Sequence, residues 1–108
     1  MAAIDLNKKL FETYIQDENK PILVDFWAPW CVYCRRITPA INILAEQYKD
    51  LLIIGKVNID DEQDLAAKEQ IEVIPTLVIY KGGQALASIV APESKAQIET
   101  FIKETLNI

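Results

Sequence analysis

Cys31 and Cys34 are the only thiols in the 108 residues, and they stand two residues apart in Trp27-Ala28-Pro29-Trp30-Cys31-Val32-Tyr33-Cys34. They follow an apolar run that holds a single acid, Ile22-Leu23-Val24-Asp25-Phe26-Trp27. A Cys-x-x-Cys between a predicted strand and a predicted helix reads as a dithiol redox centre. Cys31 is the candidate nucleophile. Thiol-disulfide exchange needs a thiolate, and a helix N-terminus favours one through exposed N–H groups and the helix dipole. Cys34, one turn on, can attack a mixed disulfide at Cys31 and release the reduced product. A purely structural disulfide closes too small a loop to constrain the unfolded chain much. A zinc site normally takes four ligands. With two cysteines and no histidine, a metal or cluster would have to be shared between subunits, so no metal is expected.

The remaining pattern supplies elements to position these thiols. Asp25 shares a strand face with Leu23 and Trp27, and its apolar flanks suit a central strand covered on both sides. Burial without a charge partner raises a carboxylate's pKa, which suits a proton shuttle near neutrality. After Ala2-Ala3-Ile4, Asn7 is positioned as a cap for a helix with Leu10, Phe11, Tyr14 and Ile15 on one apolar face. Asp17 to Pro21 reads as a turn. Ile37, Ile41, Leu44, Ala45 and Tyr48 form a second helical stripe. Thr38-Pro39 alone looks like a helix start, but Ile37 keeps register with Ile41 and Leu44, so the helix is expected to begin earlier. Leu51 to Val57 is a second buried strand, and a short helix is expected over Asp64 to Gln70. Strands at Thr76 to Tyr80 and Ala85 to Val90 form a hairpin around Gly82-Gly83. Ser94 and Gln97 make a capping box for a last helix that buries Ile98, Phe101, Ile102 and Leu106. The order β-α-β-α-β-α-β-β-α implies an α/β domain: a mixed sheet of about five strands with four helices on its two faces.

Composition narrows the function further. The length fits one domain over residues 1–108. A formal charge of −5, with no run of Lys or Arg, excludes a nucleic-acid footprint. Charges scattered through the first twenty residues leave no signal-peptide core. The longest apolar stretch, Ile71 to Tyr80, is broken by Glu72 and Pro75 and is too short to cross a membrane. A cytoplasmic protein is expected, and there a Cys-x-x-Cys is more often catalytic or metal-binding than structural.

Val24-Asp25-Phe26-Trp27-Ala28-Pro29-Trp30-Cys31, Cys34, Pro39, Lys56-Val57-Asn58-Ile59-Asp60, Ile74-Pro75-Thr76 and Lys81-Gly82-Gly83 together resemble the thioredoxin family along essentially the whole chain. The resemblance implies the three-layer α/β/α thioredoxin fold, with a helix that starts at the cysteines and kinks at Pro39. It implies a protein-disulfide reductase in which Asp25 helps to deprotonate Cys34 through water and Lys56 modulates that acid. Pro75 would be the family's cis-proline beside the dithiol, and the Ile74 backbone would pair with an extended substrate segment. Trp30 would form part of the docking surface, Ala91 and Pro92 would border it, and Trp27 would mostly pack. No cofactor is implied. Electrons would come from a separate flavin-containing thioredoxin reductase and pass to target proteins such as reductases and peroxidases, with the chain acting as a monomer.

Two departures bear on function. Val32-Tyr33 replaces the family's usual Gly-Pro between the cysteines, and Ala91-Pro92 stands where a glycine is common. Tyr33 restores a backbone N–H that proline lacks, which favours the reduced dithiol and a potential higher by tens of millivolts. Val32 and Tyr33 also reshape the surface beside Cys31. A tyrosine just before the second cysteine is similar to the glutaredoxin motif, but the Trp-Ala-Pro-Trp lead-in and Ile-Pro-Thr favour thioredoxin. The alternatives are a donor specialised for one partner, a weak oxidant or isomerase, or a binding module in which the dithiol is incidental.

Overall fold

A computed structural model describes residues 2–108 of the chain; Met1 lies outside the described residues. The elements are β1 (Ile4–Asp5), α1 (Lys8–Ile15), β2 (Ile22–Trp27), α2 (Val32–Gln47), β3 (Ile53–Asn58), α3 (Gln63–Lys68), β4 (Thr76–Lys81), β5 (Gln84–Val90) and α4 (Lys95–Leu106). The five strands lie in the order β1-β3-β2-β4-β5. β1 and β2 pair parallel to β3, whereas β4 runs antiparallel to β2 and β5 to β4.

Strand alternation sends β2 side chains to two separate cores. Ile22, Val24 and Phe26 pack with Phe11 of α1 and Leu65 of α3. Leu23 packs on the opposite face with Ile37, Ile41 and Leu44 of α2 and Ile98 and Ile102 of α4. The result is the expected three-layer α/β/α arrangement with β2 at its centre. By the same alternation Asp25 faces the α2 side, in register with Lys56 on β3 and Leu77 on β4.

Local chemistry sets the element ends. Asn7 caps α1 by accepting the Leu10 N–H at 2.8 Å, yet Leu10 itself stays 41% exposed, while the rest of the predicted face is more covered. Asp17 closes the turn after α1 by accepting the N–H groups of Asn19 and Lys20. Gly82 and Gly83, at φ 59° and 82°, make the left-handed turn between β4 and β5. Their N–H groups donate to Asp17 and Ile15, which seats the hairpin tip on the end of α1. The strand expected from Leu51 begins at Ile53, because the Leu51 and Leu52 N–H groups still donate to the Tyr48 carbonyl. At α4, Ser94 accepts the Gln97 N–H as a capping box requires, but the Gln97 side chain reaches back to the Glu93 N–H and not to that of Ser94. No helix among the described residues is long and apolar enough to cross a membrane.

Candidate active site

β2 ends at Trp27, and Cys31, four residues later, is the N-cap of α2. The Cys31 N–H donates to the Ala28 carbonyl at 3.1 Å, closing a tight turn over the strand end. The Cys31 sulfur accepts the Cys34 N–H at 3.1 Å, so the cap that begins the helix is itself the candidate reactive atom. Negative charge on that sulfur is favoured by this donor and by the positive end of α2. Pro39 lies inside α2, and Thr38 Oγ1 donates to the Cys34 carbonyl at 3.1 Å. The helix therefore starts at the cysteines, as the Ile37 register requires, and not at Thr38-Pro39.

The two sulfurs are joined as the Cys31–Cys34 disulfide, with Cα atoms 5.2 Å apart. Cys31 is 7% exposed and Cys34 only 1%, so an incoming disulfide meets Cys31 first. The pair packs with Ala28 and is bordered by Trp27, Ile59 and Ile74. The Ile74–Pro75 peptide is cis, and the Ile74 carbonyl oxygen lies 3.9 Å from the Cys31 sulfur. Trp30, Val32 and Tyr33 are all half or more exposed around the same sulfur.

Ala91 is tied to this rim, for its N–H donates to the Pro75 carbonyl at 2.7 Å, and Pro92 is buried directly after it. Ala91 has φ 46°, a left-handed conformation that costs an L-residue roughly 1–2 kcal/mol. Glycine relieves that strain and gives back about 0.4–1 kcal/mol through the freer unfolded chain. Ala91→Gly is therefore expected to raise stability by about 0.5–1 kcal/mol, read as a higher urea midpoint. A lower midpoint would show that Ala91 is unstrained.

Asp25 is fully buried, and neither carboxylate oxygen has a hydrogen-bond partner. Burial pushes its pKa up to about 7, while the facing Lys56 charge pulls the other way. The Lys56 ammonium sits 4.3 Å from the centre of the Trp27 ring, a cation–π contact beside the dithiol. Trp27 thus packs against the cysteines, as expected, and also carries the Lys56 ammonium on its ring. Asp60 was not singled out as a site residue in the sequence, yet it accepts the Trp30 indole N–H at 3.0 Å and anchors that exposed ring. The signal was its place at the end of Lys56-Val57-Asn58-Ile59-Asp60. Nothing in the local sequence marks Ile59 as a neighbour of the cysteines. Among the described residues, no three His, Cys, Asp or Glu side chains gather as a metal site.

Residues 2–104 match the thioredoxin family model. The chain is 36% identical over 105 residues to thioredoxin 1 of Nostoc sp., covering 97% of this chain and 98% of that protein. It is 41% identical over 96 residues to a thioredoxin of Acidithiobacillus ferridurans, covering 89% of each. It is also 37% identical over 102 residues to the chloroplastic M-type thioredoxin of Chlamydomonas reinhardtii, covering 94% of this chain and 73% of that one. With a strand–turn–helix dithiol joined as a disulfide, the chain belongs to the thioredoxin family and is a thiol-disulfide oxidoreductase.

Proposed function

We propose that the reaction starts when the Cys31 thiolate of the reduced chain attacks one sulfur of a target protein's disulfide. That bond breaks, and the second target sulfur leaves as a thiolate that takes a proton from water. Cys34 then loses its proton to Asp25 through water and attacks the Cys31 sulfur. The target departs with two thiols and two electrons, and the chain keeps the new disulfide. The observation that carries this reading is the cap itself: the more exposed sulfur is the one that receives the helix N–H. A carboxylate that titrates near neutrality suits the shuttle, and Lys56 opposite it tunes the value.

Trp30, Val32, Tyr33, Ile74, Pro75, Ala91 and Pro92 border the target groove, with the Ile74 backbone pairing to an extended segment. The chain is a single-domain monomer over residues 1–108, acts in the cytoplasm and holds no cofactor of its own. Electron transport runs from a flavin-containing thioredoxin reductase to disulfide-bearing reductases and peroxidases, without nucleic-acid or membrane partners.

The reduction potential tests this reading. Tyr33 supplies an N–H at the second position of α2 where the usual proline has none, which favours the dithiol. Equilibration with a dithiol buffer, followed by tryptophan fluorescence, is expected to give a value about 30 mV above the roughly −270 mV of thioredoxin. Tyr33→Pro is expected to recover most of that difference. A pair that ignores the buffer would remove the redox function, and a value near −270 mV unchanged by Tyr33→Pro would remove the tuning.

A further inference from the structure

The chain has only two arginines, Arg35 and Arg36, and both directly follow Cys34. The Arg36 guanidinium carbon lies 5.2 Å from the centre of the Tyr33 ring, and Arg35 reaches the Pro29 carbonyl at 3.5 Å. Tyr33 is 63% exposed and Arg36 is exposed too, so the stacked pair stands in solvent near the start of α2, two and five residues after Cys31. The chain carries 16 acidic residues, yet among the described residues neither guanidinium forms an ion pair. The Asp60 carboxylate is already engaged by the Trp30 indole N–H.

A guanidinium is a planar fork that takes a carboxylate through two parallel hydrogen bonds. Stacking on an aromatic face orients the fork before a partner arrives, which lowers the entropy lost on docking. The Gly-Pro usual at positions 32 and 33 offers no such face. We propose that Arg36, held on Tyr33, is a specificity determinant that docks an Asp or Glu lying within a few residues of the target's disulfide. This rests on the reductase reading above and names the partner class that reading leaves open. The net charge of −5 does not keep an acidic partner away, because repulsion is screened beyond about 8–10 Å at physiological salt. The arginine acts at contact, where it sets how the target's disulfide is laid against Cys31.

Two cyclic disulfide peptides that differ only in carrying Glu or Gln beside the disulfide provide the test. Each is mixed with pre-reduced protein, and single-turnover oxidation is followed by tryptophan fluorescence. The Glu peptide is expected to react about fivefold faster, the upper end of what an exposed ion pair yields. Arg36→Gln is expected to bring the ratio to about one, and Arg36→Lys, which keeps the charge without the fork, to about two. The ratio is expected to shrink in roughly 0.5 M salt. A change in the reactivity of Cys31 alters both rates together and cancels in the ratio. A ratio near one in the unmodified protein, or a fivefold ratio that survives Arg36→Gln, overturns the proposal while leaving the reductase reading intact. Failure to reduce either peptide overturns both.

Discussion

Asp25→Asn is expected to raise the unfolding free energy of the oxidised protein by about 3–4 kcal/mol at pH 8.5 and by almost nothing at pH 3.5. An unfolded aspartate titrates near about 3.9, whereas burial holds the folded one at about 7. Below the lower value both states are protonated, and the acid behaves as a neutral group. Between the two values the unfolded chain has released its proton and the folded chain keeps it. Stability then falls as pH rises, by about 1.36 kcal/mol per pH unit. Above about 7 the full penalty is present and the curve flattens. Asparagine is close in shape to the protonated acid and equally short of hydrogen-bond partners, so the comparison isolates ionisation. Using the disulfide form keeps the thiols out of the titration. Urea midpoints at the two pH values decide the matter. An equal gain at both would mean repacking, and no gain would mean that Asp25 is solvated. Lys56→Met supplies a second check, since removing the facing charge is expected to move the step to higher pH. In the proposed mechanism this cost at working pH is the counterpart of the proton that Asp25 relays.

Several of these features were legible because one residue sufficed to signal them. An acid inside Ile22-Leu23-Val24-Asp25-Phe26-Trp27 announces burial, and the structure leaves Asp25 with no exposed surface. The stripe Ile37, Ile41, Leu44 announced an α2 that runs through Pro39, because helical periodicity outweighs a local start signal. Features made by distant segments were not legible. The bond from Trp30 to Asp60 spans thirty residues, and no periodicity links the two. The cis bond at Ile74–Pro75 was reached only through the family resemblance, since local chemistry favours trans. The exposure of Leu10 depends on what α1 packs against, which the stripe on α1 alone does not specify. The Tyr33–Arg36 stack lies between these cases: three residues on a helix bring side chains together, but only the structure shows Arg36 turned onto the ring and not onto a carboxylate.

Cys34→Ser is expected to stop turnover at the first step and trap the target on Cys31. With the second thiol gone, the mixed disulfide is released only by an outside thiol, and an intramolecular step becomes a bimolecular one. Well-placed intramolecular groups act at effective concentrations of about 10⁵ M and above, so turnover is expected to fall by roughly 10³-fold or more. The trapped adduct is expected as one target per chain in the mass spectrum, and dithiothreitol should release it. Cys31→Ser is expected to form no adduct at a comparable rate. The remaining thiol at position 34 is 1% exposed and lies behind the turn that Ala28 and Cys31 close. It also lacks the N–H that Cys34 donates to the Cys31 sulfur, so its charge is not stabilised in the same way. The two variants separate role from mere presence, since each removes the disulfide equally. Adducts of equal yield from both would erase the assignment of nucleophile and resolving thiol. An adduct on Cys31→Ser alone would reverse it, and α2 would then be holding its charge on the wrong sulfur.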